Sequence, residues 1–177
     1  MRNKLLALMP EFQAISDRSL QETTLQVWLE AVKIGGWDID DLHEMPFTLL
    51  IKNCSINIIE HTRAVTRCCL QIADVMIEEY KEKISLNRDY LLSGALLHDV
   101  GKLFEYKKEN GEFVKSEEGK LLRHPISGAV FAGKFDIPQE ILHIIAAHSK
   151  EGDGRRNTVE SIIVNHADFV NFEALNT

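Results

Sequence analysis

Two adjacent residues in the middle of the chain have the chemistry to hold a cation: His98 and Asp99, within Leu96-Leu97-His98-Asp99-Val100-Gly101-Lys102. The run before them, residues 90–97, reads as a helix with no solvent face, so it delivers both side chains to the interior. Aspartate is almost never fully buried without a partner, and stranding an ionised carboxylate there would cost roughly 3–5 kcal/mol. Something cationic should therefore meet Asp99. A divalent metal shared with His98 answers that need, because neutral imidazole and carboxylate are both ligands for zinc, iron or manganese. Gly101 is expected to end the helix in the left-handed conformation, leaving Lys102 beside the site. The dipeptide alone carries little: with seven histidines and ten aspartates in 177 residues, chance supplies about 0.4 such pairs.

The rest of the case depends on the elements that must surround this pair. A long helix is expected over residues 55–83, where Ile58, His61, Val65, Cys68, Ile72 and Val75 recur at steps of three and four and share one stripe. His61 lies in that stripe; for a lone histidine, a core residue satisfied by a carbonyl is the ordinary reading. Arg63 and Arg67 fall off the stripe and read as solvated. Ser85 or Asn87 should cap the helix that ends in His98-Asp99. Asn110-Gly111 between alternating segments signals a hairpin, residues 104–107 against 113–115. His124-Pro125 opens another helix with Pro at its first position, where the helix dipole keeps the His124 ring neutral; a plain capping histidine is the alternative. Asp136 and Pro138 should start a helix to about residue 149, carrying Ile141, Ile145 and His148 on one face, with His143 off it. Asn157 or Thr158 should cap the last helix, with Glu160 reaching back. There Asp168 sits between apolar neighbours and again needs a cation, a metal or an Arg, while His166 points elsewhere. The intervening loop, residues 150–157, reads as flexible and basic, a solvated turn.

The first fifty-four residues carry no recognisable chemistry. They read as one short helix, a second from a Ser19 cap to about Lys33, stopped by Gly35 and Gly36, and an acidic turn at residues 38–41. This organises the chain into an N-terminal helical layer, residues 1–54, covering the core of a unit at 55–177. The 45% hydrophobic and 27% charged composition is ordinary for a globular protein. A net charge of −7 argues against a general nucleic-acid coat protein, which would need a broad basic face. Cys54, Cys68 and Cys69 fit neither a disulfide framework nor a Cys-x-x-Cys zinc site and imply a reducing, cytoplasmic setting. No run reaches the roughly eighteen apolar residues of a membrane span, and no signal peptide is expected.

In order, His61, His98-Asp99, His124, His148 and Asp168 each occupy an apolar-facing or helix-cap position. That order, with HDVGK as a form of HD-x-G-K, resembles the HD-domain superfamily of metal-dependent phosphohydrolases over about residues 55–172. A second likeness is to the HD part of exoribonucleases that shorten RNA from its 3′ end, carried by the flap after HDVGK, the Gly119-to-His124 approach and Ala147-His148. The resemblance implies an all-α, single HD-domain helical bundle with a small β-hairpin flap. It implies that His61, His98, Asp99 and Asp168 hold one divalent ion. His124 and His148 match the added pair of the dinuclear branch, with Asp99 bridging two ions (Fe, Mn, Ni or Zn). The Gly-Tyr-Pro that marks the cyclic-dinucleotide subclass is absent.

The implied activity is hydrolysis of a phosphate ester by metal-activated water, on a small phosphorylated substrate or short nucleic acid, with no membrane partner and homo-oligomerisation left open. Asp99 and Lys102 would be catalytic. Lys102, Arg123, Lys150, Arg155 and Arg156 could neutralise phosphate, and the helix start after His124 could offer backbone donors. Two other readings share these residues: a di-iron oxygenase of the same superfamily, and a non-catalytic metal- or nucleotide-binding signalling module.

Overall fold

The structure is a computed structural model that describes residues 1–177. It is all-α apart from one two-stranded hairpin. Helix α1 spans Arg2–Leu8 and is followed by a 3₁₀ turn at Pro10–Ala14. Helix α2 spans Arg18–Ile34 and starts at Asp17, not Ser19, because the Asp17 carboxylate accepts from the amides of Ser19 and Leu20 at 2.8 and 3.0 Å; an anion also suits the positive end of the helix. Helix α3, Ile58–Tyr80, starts later than its periodicity suggests, where Asn57 and Glu60 close a capping box. Its buried face runs through Ile58, His61, Thr62, Val65, Thr66, Cys69 and Ala73. Val75, assigned to the stripe, is 60% exposed, since the C-terminal turns of α3 run past the core. Arg63 is not simply solvated: its Nε donates to Glu11 at 3.0 Å.

Helix α4, Arg88–Leu97, capped by Asn87, is the centre of the molecule, and every residue from Leu91 to Leu97 is buried. Helix α2 is bound to it by the Trp28 indole donating to the Leu96 carbonyl at 2.7 Å and by the Thr24 and Ser93 hydroxyls, also 2.7 Å apart. Gly94 lets the helix Gln139–Ala147 in, because a Cβ there would sit 2.6 Å from Ile144. Leu5, Met9, Phe12, Trp28 and Trp37 share one hydrophobic core with Leu96, Leu97, Val100 and Leu103. The N-terminal layer therefore presses directly on the segment that carries His98 and Asp99.

Gly101 is not left-handed; its φ is −64°, and a short helix α5, Lys102–Glu105, follows at once. The glycine is required by contact, not by conformation: a Cβ there would lie 2.1 Å from the His124 carbonyl oxygen. This extra turn delays the hairpin. Strand β1 is Tyr106–Glu109 and β2 is Glu112–Lys115, with Tyr106 opposite Lys115 and both Asn110 and Gly111 at positive φ, the type I′ geometry that an Asn-Gly pair favours.

Helices α6, Glu117–Leu121, α7, His124–Ala132, α8, Gln139–Ala147, and α9, Val159–Leu175, complete the bundle. Pro138, not Asp136, occupies the cap position of α8. Thr158 caps α9 with Ser161 closing the box, while Glu160 instead accepts from the Asn87 amide at 2.6 Å and ties α9 to α4. The segment 150–157 is anchored, not a free turn: Arg156 donates to the carbonyls of Ala147 at 2.9 Å and Ser149 at 2.6 Å.

Candidate metal centre

The buried end of α4 and the turn after it bring His98 and Asp99 to the middle of the bundle, and four other helices aim at the same point. On one side of Asp99, His61 from α3 places Nε2 3.0 Å from Asp168 Oδ1 of α9 and 3.5 Å from Asp99 Oδ2. His98 Nε2 lies 3.4 Å from that same Asp99 oxygen and 3.5 Å from His61 Nε2. On the other side, His124 Nε2 of α7 lies 3.3 Å from Asp99 Oδ1, and His148 Nε2, just past α8, lies 3.7 Å from it. These two Nε2 atoms are 3.3 Å apart. Each carboxylate oxygen of Asp99 thus faces its own pair of imidazoles, and two triads, His61-His98-Asp99 and Asp99-His124-His148, have ligand-type atoms within 4.8 Å of one another.

The tautomers follow from the partners. A carbonyl or carboxylate can only accept, so the contacts from Nδ1 of His98 to the Ala95 carbonyl and of His148 to the Ile145 carbonyl, both 2.7 Å, put the proton on Nδ1. Nδ1 of His124 likewise donates to Glu105 Oε2 at 2.6 Å. Nε2 is then the free ligand atom of each ring. His61 is the exception: its Nε2 faces Asp168, and its buried Nδ1 has no partner. Its ring is held by stacking on Phe47, centroids 4.2 Å apart.

Burial pushes the pKa of His148 down to about 3, helped by the neighbouring His98 and His124 rings, and burial also lowers His124 and His61. Burial would lower His98 too, but Asp99 overrides it and raises the ring. For Asp99, burial works against ionisation, yet Lys102, His98 and His124 hold the carboxyl well below its ordinary range. Asp168 is held at about 2 against its burial, chiefly by the His61 hydrogen bond. The lowered rings of His61, His124 and His148 beside ionised carboxylates are what a divalent ion requires of its ligands, while His98 would give up its proton on binding, and the donor set of nitrogen and oxygen suits zinc, iron, manganese or nickel.

Lys102 lies directly beside the site. Its ammonium is buried, 2.6 Å from Asp99 Oδ2 and bonded to the Phe47 carbonyl, so it balances Asp99 while still lining the cleft that opens onto the centre. The backbone donors expected at the start of α7 are also spent. The His124 amide goes to Glu105, Pro125 has none, and the amides of Ile126 and Ser127 go to the Arg123 carbonyl. A cleft of about 320 Å³ opens onto the centre at His124 and Asp168. Arg123 and Lys150 line it, with Arg123 paired to Glu151 at 2.6 Å. Arg155 is exposed outside this lining, and Arg156 is committed to backbone carbonyls. Phe47, Tyr106, Phe169 and Phe172 supply aromatic walls. Glu105 and Phe47 were not legible as site residues: Glu105 reads as part of a strand, and Phe47 reaches the site only because its loop folds over α3.

The HD domain family model matches residues 58–171, and the chain belongs to the HD domain family. Among characterised proteins it is similar to a dihydroneopterin 2′,3′-cyclic phosphate phosphodiesterase of Methanocaldococcus jannaschii, 39% identical over 113 residues, which is 63% of this chain and 44% of that protein. It is also similar to ribonuclease Y of Lawsonia intracellularis, 29% identical over 113 residues, 63% of this chain and 18% of that one. The chain thus spans less than half the length of either relative. No solved structure matches it. No helix is long and apolar enough to cross a membrane.

Proposed function

We propose that the protein is a metal-dependent phosphodiesterase that opens or cleaves a phosphodiester on a small, ring-bearing substrate. The observation that carries this reading is the division of Asp99 between two imidazole pairs whose available nitrogen atoms converge on its two oxygens. His61, His98, Asp99 and Asp168 would hold one ion, and Asp99, His124 and His148 a second. A pair of ions bound by these residues would supply a water of lowered pKa and positive charge for the phosphoryl oxygens, which is the chemistry phosphoester hydrolysis needs. Lys102 keeps Asp99 ionised and oriented. Arg123 and Lys150, at the rim of the cleft, would meet the substrate's phosphate. The aromatic walls and the volume of the cleft suit one flat heterocycle better than a length of polymer.

Both relatives are named for phosphodiester cleavage, which favours hydrolysis over the oxygenase reading and over a silent binding module. The residue types, with three free cysteines and no disulfide, fit a cytoplasmic enzyme. The test is to strip the protein with chelator and reload it with manganese, iron or nickel. Offered 2′,3′-cyclic nucleotides and pterin cyclic phosphates, it should open the ring to a monoester, followed by ³¹P NMR. Stoichiometrically loaded protein that leaves every cyclic phosphate intact would refute the reading.

A further inference from the structure

Glu105 ends helix α5 three residues after Lys102, is 4% exposed, and uses both oxygens. Oε2 accepts from His124 Nδ1 at 2.6 Å and from the His124 amide at 2.8 Å. Oε1 lies 3.1 Å from Lys115 Nζ, on β2 of the hairpin. The contact is built closely: a Cβ on Gly119 would strike the Glu105 carbonyl oxygen at 2.3 Å, so α6 lies directly against the Glu105 backbone. The other imidazoles with a fixed Nδ1 proton give it to neutral carbonyls of their own helices. His124, at the start of α7, has no preceding turn to supply one.

Resting on the paired-ion reading above, we propose that Glu105 is a positioning residue for the second ion. Its carboxylate fixes the His124 ring with Nδ1 protonated and Nε2 free, raises the basicity of that nitrogen, and ties this half of the centre to the hairpin through Lys115. An anionic partner behind a ligating imidazole fixes its tautomer and strengthens it as a ligand, and loss of such a partner typically weakens metal affinity by about 10–100-fold. Two groups on one carboxylate, one in the centre and one on a strand that lines the cleft, also connect the position of the hairpin to the quality of the site.

The experiment uses the full chain and the metal alone. Manganese is titrated into wild type and Glu105→Gln, with calorimetry for the two affinities and EPR for the coupling between ions. Wild type should bind two ions and give the spectrum of a coupled pair. Glu105→Gln should bind the first ion as wild type does, bind the second roughly 10–100-fold more weakly, and at equal loading show the six-line signal of isolated manganese. Glu105→Asp, which restores the charge, should recover part of the second affinity. Two ions in both proteins with equal affinities would overturn the inference while leaving the paired-ion reading intact. One ion in wild type would overturn both. A second measurement needs no variant and no metal: long-range ¹H–¹⁵N spectra of wild-type histidine rings should show His124 with its proton on Nδ1, and a proton on Nε2 would overturn the assignment.

Discussion

The two halves of the centre share Asp99 but are prepared differently for a cation. On the His124-His148 side both rings are buried with lowered pKa, and both Nδ1 protons are held by acceptors, so the Nε2 lone pairs are ready. On the His61-His98 side Asp99 raises the His98 ring, Lys102 sits on the facing carboxylate oxygen, and His61 Nε2 is engaged with Asp168. One half stores lone pairs; the other balances Asp99 and Asp168 with protons and an ammonium. The difference arises because a buried carboxylate must find positive charge, and Lys102 and His98, nearest that oxygen, supply it.

Removing the shared carboxylate should abolish the comparison altogether. Asp99→Asn should lose both ions and all activity, and, by leaving the Lys102 ammonium buried without its anion, should destabilise the metal-free protein by about 3–5 kcal/mol, read from urea unfolding. Single losses should separate the halves. His61→Ala and His148→Ala should each lower bound metal from two ions to one by elemental analysis, with the surviving ion in the opposite half. Phe47→Ala should act on the first half only, weakening its ion while costing roughly 3–5 kcal/mol of stability for a buried aromatic. Protons should sort the halves too. In calorimetric titrations at neutral pH in buffers of different ionisation enthalpy, the first half should release protons on binding and the second should release few.

The smallest effect concerns acid. In metal-free protein His148 has a folded pKa near 3, below its ordinary value of 6.5, so the unfolded chain binds the proton more readily. The stability it contributes is therefore present above pH 6.5 and lost as pH falls from there toward 3. Asp168, lowered to about 2 from 3.8, keeps its contribution above about 4 and loses it only between there and about 2. Histidine and methyl NMR signals should thus report disturbance around α8 at a higher pH than around α9. Simultaneous loss of both would remove the distinction.

Much of this centre is visible in residue types and spacing. The apolar run of α4 forces His98 and Asp99 inward whatever surrounds them, and Asn110-Gly111 specifies its turn because both residues must take positive φ. His61 and Asp168 stand out for a similar reason, each a polar residue on a face that must be buried. What periodicity missed depends on contacts between distant segments. Gly101 reads as a helix terminator, yet it serves the passage of the α7 backbone. Lys102 reads as a neighbour of the site, but periodicity does not show that its ammonium also reaches the Phe47 carbonyl from a segment fifty-five residues earlier. Glu160 reads as its own helix's cap, yet it caps α4 through the Asn87 amide.

Residue type and period are enough to mark the side chains that could not remain unpartnered, because burying a charge or an imidazole on an apolar helix face creates a local demand. How each demand is met follows from packing between helices: which oxygen of Asp99 faces which rings, where the proton of His124 resides, and which cations line the cleft. Those answers depend on distances of about 3 Å between helices remote in the chain, and hydrogen bonds and ion pairs are selected at that scale, beyond the reach of any pattern along a single strand of sequence.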